Sequence, residues 1–206
     1  MPIDRDHVLD WMQRFADEMS EHRQELVRLD TAIGDGDHGT NMNRGMQKAL
    51  QKLQESDPAD PGAVLKTVAM ALVSSVGGAA GPLYGTLFLQ MGSALGSDAE
   101  PALPAYAQAW RKGLEGVQMR GKAQPGDKTM VDALIPGVEA LEGASDLGQG
   151  LQTAAAAAEE GMRATTPLIA RKGRASYLGE RSKDHQDPGA TSTYYLFKSA
   201  AEALAG

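Results

Sequence analysis

The sequence contains no cysteine among its 206 residues. Disulfides, thiolate metal sites and a cysteine nucleophile are therefore excluded. A chain without cysteine is compatible with a reducing compartment. The N-terminal residues are charged from the start and lack the apolar stretch of a secretory signal. We therefore expect a cytoplasmic protein.

Aromatic residues and strand patterns are also scarce. Aromatic side chains make up 5% of the chain, and no run alternates β-branched and polar residues. Apolar residues recur instead at helical spacing, and 42% apolar content suffices for one buried core. These features predict an all-α protein with a single domain over residues 1–206. The apolar stripes and the Gly and Pro breaks predict eight helices, at about residues 8–29, 42–53, 62–76, 82–95, 101–119, 129–141, 147–170 and 189–205.

Positive charge is sparse as well. The chain has 20 Lys and Arg against 27 Asp and Glu, which gives a formal net charge of −7. This balance excludes a nucleic-acid surface, because such surfaces need clustered Lys and Arg. Residues 67–97 are free of charge over the length of a membrane span, but they contain Pro82, paired glycines and several serines. We expect neither a nucleic-acid partner nor a membrane partner.

Residues 29–41 are the segment richest in chemistry, with three aspartates, three glycines and one histidine. Asp30 falls at the end of the first predicted helix, where a carboxylate meets the negative end of the helix dipole. Asp35 and Asp37 add like charge and, being two residues apart, point to the same side of an extended backbone. Hard oxygen ligands from short side chains suit Mg²⁺, which often takes its other ligands from phosphate. The segment therefore predicts a metal site made by Asp30, Asp35 and Asp37, with an ordinary solvent-exposed turn as the alternative.

Two features next to this segment favour the binding of an anion. Thr40 or Asn41 caps the next predicted helix, whose first backbone amides can bind phosphate. The glycine-rich residues 77–85 form a second candidate phosphate site, with close helix packing as the alternative. The phosphate-binding motif Gly-x-x-x-x-Gly-Lys-Ser/Thr is absent from the sequence. Any nucleotide must be bound in another way.

Two later segments also interrupt the helical pattern. Residues 121–132 fit an ordinary capped turn, with Asp127 or Thr129 as the cap. Residues 172–189 form a loop of a length that is usually functional or disordered. In this loop Arg174 and Arg181 offer forked donors to phosphate oxygens.

Four motifs, in order along nearly the whole chain, carry a resemblance to a known family. They are Leu-Asp with Gly-Asp-Gly-Asp-His-Gly-Thr-Asn-Met, Gly-Gly-Ala-x-Gly-Pro-Leu-Tyr-Gly-Thr, Gly-Asp-Lys-Thr-Met, and Gly-Arg-Ala-Ser-Tyr-Leu-Gly-Glu-Arg-Ser with Asp-Pro-Gly-Ala. Together they resemble the nucleotide-binding L subunit of dihydroxyacetone kinase. The resemblance implies a barrel of eight antiparallel helices, with ADP or ATP held by the loops at one end.

The resemblance also implies the site residues. Asp30, Asp35 and Asp37 match ligands of two Mg²⁺ ions that bind the nucleotide phosphates. The residues that match nucleotide contacts are His38, Gly39, Thr40, Asn41, Ala79, Ala80, Gly121, Met130, Arg181, Asp187, Pro188 and Gly189. The family usually has Ser where this chain has Ala80, so a hydroxyl contact to phosphate is lost and a backbone amide would serve instead.

The implied reaction needs two partners. In the phosphotransferase-dependent version, bound ADP takes a phosphoryl group from a phosphohistidine on an M subunit and passes it to dihydroxyacetone on a K subunit. No nucleophile is expected from this chain, and we assign His38 a hydrogen-bonding role. The alternatives are a subunit of an ATP-dependent kinase for another small ketose, the nucleotide domain of a fatty-acid kinase, and a non-catalytic nucleotide-binding adaptor. The sequence leaves open the ketose and the oligomeric state, a homodimer included.

Overall fold

The computed structural model describes residues 3–204, and within them it contains nine α-helices, one 3₁₀ segment and no strand. The all-α prediction is confirmed. The helices are α1 (Arg5–Glu21), α2 (Arg23–Ile33), α3 (His38–Ser56), α4 (Pro61–Ser75), α5 (Ala80–Leu95), α6 (Leu103–Gly121), α7 (Val131–Glu142), α8 (Leu147–Ala164) and α9 (Pro188–Leu204). The 3₁₀ segment spans Arg174–Ser182 and contains a kink at Gly179.

The helix count differs from the predicted eight because the first predicted helix is divided. His22 ends α1 with φ −91° and ψ 11°, and α2 begins at the next residue. The His22 ring stacks on Tyr195 of α9 with 4.2 Å between ring centroids, so the break is held by a side chain from a distant part of the chain. The predicted helix over residues 147–170 is also too long. It ends at Ala164, shortly before Pro167, because proline restricts the preceding residue and lacks the amide that helix continuation needs.

The helices pack in the order in which they follow one another. From α3 to α9 each helix contacts the next, and α1 contacts both α3 and α9, which closes the sequence of contacts on itself. Inside lies a core with a buried aromatic group, in which Trp110 stacks on Phe197 at 4.3 Å between centroids. Trp11 donates its indole N–H to the carbonyl of Leu196 at 3.1 Å. Both tryptophans are therefore structural, and the antiparallel eight-helix barrel stays a prediction.

Alternate helices begin at the same end of the fold. The first residues of α3, α5, α7 and α9 all line one pocket, which places four helix N-termini together. The segment from α2 to α3 reaches the same end. Across residues 3–204, no helix is both long enough and apolar enough to cross a bilayer.

Candidate functional site

The pocket at this end of the fold has a volume of about 390 Å³. His38, Ala80, Val131 and Pro188, the first residues of α3, α5, α7 and α9, lie in its wall. A helix N-terminus carries roughly half a positive charge, so four of them favour a ligand with several negative charges. The pocket is therefore suited to a polyphosphate or a similar anion.

Three carboxylates stand at the edge of this pocket. Asp30 belongs to the last turn of α2, and Asp35 and Asp37 lie on the short connection to α3. One oxygen from each lies within 4.8 Å of the others. The residues predicted as metal ligands are thus brought together, with Asp30 buried and the other two more open to solvent.

The local backbone is built around Asp30. Its Oδ2 accepts hydrogen bonds from the amides of Asp37 at 2.8 Å and His38 at 3.0 Å, which hold the turn and the start of α3 against α2. A Cβ on Gly34 would lie 2.1 Å from Asp30 Oδ1, so only glycine fits there. Gly36 adopts φ +73°, a conformation that favours glycine. Gly34 is therefore required by the position of Asp30, and Gly36 by the turn that follows.

The charge of the three carboxylates fits a divalent cation. Three hard oxygen donors beside an anion-binding pocket match the ligand preference of Mg²⁺. The Nη2 of Arg174, in the 3₁₀ segment, lies 3.0 Å from Asp35 Oδ2, and this ion pair is largely exposed to solvent. A single exposed ion pair offsets little of the repulsion among three neighbouring acids. The donor set therefore suits a metal ion shared with phosphate.

Most of the predicted nucleotide-contacting residues lie in the pocket wall. They are His38, Asn41, Ala79, Ala80, Gly121, Met130, Asp187, Pro188 and Gly189. Gly39, Thr40 and Arg181 are not among the residues that line it. Gly39 instead permits close packing of α3 on α2, since a Cβ there would lie 2.2 Å from the Arg23 carbonyl oxygen. Thr40 and Arg181 are exposed, and nucleotide contact by these three residues stays a prediction.

His38 is held from behind by a chain of hydroxyl groups. Its Nε2 lies 2.9 Å from Ser192 Oγ on α9, and that oxygen lies 2.7 Å from the Tyr84 hydroxyl on α5. Burial lowers the pKa of His38, against the opposing effect of the Asp30 and Asp37 charges. A neutral imidazole in this position suits a hydrogen-bonding group. Sequence reasoning did not assign this support role to Tyr84, although it lies in the glycine-rich segment, and it missed Ser192, which stands among the hydroxyl residues Thr191 and Thr193.

Lys128 is a buried lysine whose role the sequence did not reveal. It is 1% exposed, and its backbone adopts φ +63°. Its Nζ donates to the carbonyl oxygens of Thr165 at 2.8 Å and Leu168 at 3.0 Å, and it also reaches those of Thr166 and His185. Burial lowers the pKa of the ammonium group. Lys128 therefore links the segment before α7, which lines the pocket, to the long loop before α9.

Asp187 places the start of α9 in the pocket. Its Oδ2 accepts the amide of Ala190 at 2.7 Å, the geometry of a helix N-cap, and Pro188 fills the first helical position. Burial raises the pKa of Asp187 to about 7, against the lowering effect of the Ala190 amide. The charges of Asp132 and Asp30 raise it further, whereas Lys128 lowers it. In the absence of a ligand this carboxyl group therefore titrates near neutral pH.

Comparison with known proteins places this geometry in a family. The DAK2 domain matches residues 32–202. The "PEP-dependent dihydroxyacetone kinase, ADP-binding subunit DhaL" of Escherichia coli (strain K12) is 44% identical over 207 residues, covering 98% of this chain and 99% of the relative. The "PEP-dependent dihydroxyacetone kinase 1, ADP-binding subunit DhaL" of Listeria innocua serovar 6a is 46% identical over 197 residues, covering 96% of each chain.

A solved structure shares the fold. The crystal structure of the dihydroxyacetone kinase from C. freundii in complex with AMP-PNP and Mg²⁺ superposes with a TM-score of 0.73 at 25% identity, over 98% of this chain. This chain spans 34% of the length of that kinase chain. The similarity therefore concerns about one third of the C. freundii enzyme.

Replacing Lys128 with methionine tests its role in the loop. Lys128→Met leaves several buried carbonyl groups without a donor, so we expect the free energy of unfolding to fall by about 3 kcal/mol. Urea denaturation measures this loss, and limited proteolysis should detect faster cleavage within residues 166–186. Lys112→Met, on the surface of α6, is the matched control. Equal stability of the two variants would show that Lys128 does not hold the loop.

Asp187 provides a prediction on pH dependence. Its pKa in the folded protein, about 7, lies above the ordinary aspartate value of about 4, so its contribution to stability is fully present below about pH 4 and is lost as the pH rises to about 7. Asp187→Asn keeps a capping oxygen but cannot ionise. In EDTA and without nucleotide, the stability of the variant relative to the original protein should therefore increase between pH 4.5 and 8. Asp146→Asn, at the exposed N-cap of α8, should show no such increase. A stability difference that is constant with pH for Asp187→Asn contradicts the assignment.

Proposed function

The chain belongs to the DAK2 domain family, and from this premise we propose that it is the ADP-binding subunit of a phosphoenolpyruvate-dependent dihydroxyacetone kinase. The support is similarity over almost the full length of relatives that carry this name. We also propose that residues 1–206 act as one nucleotide-binding domain. The predicted cytoplasmic location stays a prediction.

The observation that carries the proposal is the meeting of three carboxylates with four helix N-termini in one pocket. In the proposed complex Asp30, Asp35 and Asp37 would hold two Mg²⁺ ions, which would supply charge neutralisation for the phosphates of a bound ADP. The positive ends of the helix dipoles at the starts of α3, α5, α7 and α9 would attract the phosphates. Ala80 lacks a hydroxyl, so we assign this contact to its backbone N–H.

The apolar part of the pocket suits the base of the nucleotide. Leu83, Val117, Ala123 and Met130 line it, and their side chains are buried or partly buried. An adenine ring packed against them would leave the phosphates at the helix N-termini and the carboxylates. Orientation of this kind and charge neutralisation are the main demands of phosphoryl transfer.

The reaction we propose uses two further proteins. A phosphohistidine on an M subunit supplies the phosphoryl group, and a K subunit presents dihydroxyacetone as its acceptor. This chain supplies no nucleophile in the proposed reaction, and His38 hydrogen-bonds to the nucleotide. A homodimer of this chain stays a prediction.

Analysis of the nucleotide that copurifies with the protein tests this function. The protein is purified in Mg²⁺ and denatured, and the released molecule is identified by mass spectrometry. Phosphorylation of dihydroxyacetone is then measured with the K and M subunits present. The rate with phosphoenolpyruvate and the proteins that phosphorylate the M subunit is compared with the rate with ATP. We expect ADP to be retained by the purified protein, and we expect the phosphoryl group to come from phosphoenolpyruvate through the M subunit and not from ATP. Rapid nucleotide exchange with direct use of ATP would favour a kinase of the ATP-dependent type, and bound nucleotide without transfer from either donor would favour a non-catalytic adaptor.

The role of Asp35 is tested by Asp35→Asn. The substitution removes a negative metal ligand with little change in size, so we expect the dissociation constant of Mg²⁺-ADP to rise by about tenfold or more. Calorimetric titration at several Mg²⁺ concentrations measures this change, and more Mg²⁺ should be needed for the same occupancy. Asp98→Asn, an exposed carboxylate outside the pocket wall, is the control. Unchanged affinity in Asp35→Asn would remove Asp35 from the metal site.

A further inference from the structure

Arg44 lies on the exposed side of α3, one turn after Asn41, and is not among the residues that line the pocket. Its Nη2 donates to Asn41 Oδ1 at 2.7 Å. Its Nε donates to the carbonyl oxygen of Ser75, the last residue of α4, at 3.2 Å. One guanidinium group therefore links the start of α3 to the end of α4, immediately before the glycine-rich turn.

The chemistry of the two groups decides how the Asn41 amide is oriented. A guanidinium group has only donors, so it can pair only with the oxygen of the amide. Asn41 is 7% exposed, which leaves its side chain little room to turn. With Oδ1 held by Arg44, the NH₂ group points away from Arg44.

The direction of the NH₂ group follows from its distance to the glycine-rich turn. A Cβ built on Gly77 would lie 3.4 Å from Asn41 Nδ2 and 3.9 Å from Asn41 Oδ1, so the nitrogen is the end nearer to Gly77. Asn41, Gly77 and Gly78 all line the pocket. The donor end of the amide thus faces the part of the pocket wall that Gly77 and Gly78 form.

We propose that Arg44 is a positioning residue for the phosphate end of the site. It holds the Asn41 amide so that its N–H groups face the phosphates, and it ties this donor to the turn between α4 and α5. The inference rests on the proposed function, in which the ligand is a Mg²⁺-bound nucleoside diphosphate. A reversed amide would present its oxygen to a phosphate oxygen, and two acceptors repel each other.

Arg44 also carries a positive charge that attracts anions at long range, and the test must separate this effect from positioning. Lys48 lies on the same helix one turn further from the pocket and pairs with Gln51 at the surface. Lys48→Met removes one positive charge from α3, as Arg44→Met does. Long-range attraction is weakened by salt, whereas a hydrogen bond between neighbouring groups is weakened much less.

The experiment is a double-mutant cycle on Mg²⁺-ADP affinity in the full chain, with Arg44→Met, Asn41→Ala and the double variant. We expect each single change to raise the dissociation constant about five- to tenfold, the effect of losing one hydrogen bond. The double variant should bind no more weakly than Asn41→Ala alone, because Arg44 acts through Asn41. Lys48→Met should stay within about twofold of the original protein, and the loss in Arg44→Met should persist in 0.5 M salt, where the screening length is only about 4 Å.

A second variant and a folding control complete the test. Arg44→Lys keeps the charge but has no fork to reach both oxygens, so we expect a loss of affinity close to that of Arg44→Met. Thermal denaturation checks that each variant is folded, and Arg44→Gln replaces Arg44→Met if the latter is not. The proposal would be overturned if the increase in the dissociation constant of the double variant were the product of the two single increases. Equal increases in Lys48→Met and Arg44→Met would also overturn it. If the original protein itself binds no Mg²⁺-ADP, the proposed function fails; if it binds and Arg44→Met binds equally well, only the positioning role fails.

Discussion

The site depends on charge brought together at one end of the helical fold. Three carboxylates have oxygens within 4.8 Å of one another, beside four helix N-termini. The acids repel each other until a cation lies among them, and the helix ends favour an anion in front of them. A metal ion bound to a phosphate group satisfies both demands at once. This electrostatic constraint accounts for the acidic loop beside the four helix N-termini that meet at the pocket.

The pocket is kept in shape by buried polar groups behind it. Asp30 accepts two amides and so holds the first turn of α3, while Asp187 caps α9. Lys128 binds carbonyl oxygens of the long loop, and Ser192 supports His38. Each of these groups has hydrogen-bond partners, local ones for Asp30 and Asp187 and distant ones for Lys128 and Ser192, which is how buried polar groups are normally accommodated. Asp30, Lys128 and Asp187 also line the pocket, so the same groups that hold the backbone in place shape the wall of the site.

The limits of sequence reasoning are visible at particular residues. The helical stripes and the Gly and Pro breaks predicted the all-α class, but the division at His22 depends on stacking against Tyr195, a residue far away in sequence. Lys128 lies inside a motif that the sequence singled out, yet its contacts with the loop appear only when that loop is folded onto it. Gly39 belongs to the acidic motif, but the structure explains it by packing on α2.

The sequence by itself determined the helical class, the absence of cysteine chemistry and the three acids that form one cluster. The absence of cysteine chemistry follows from composition. The helical class and the acid cluster follow from local spacing, because side-chain direction repeats with the helix and Asp30, Asp35 and Asp37 are close along the chain. Only the tertiary structure decided that residues from α2, α3, α5, α7 and α9 face one pocket. It also decided that Arg44 holds Asn41 next to the turn after α4. The physical reason is that these contacts join segments separated by tens of residues. Such contacts depend on how the helices pack against one another, and the periodicity within a single helix does not predict them.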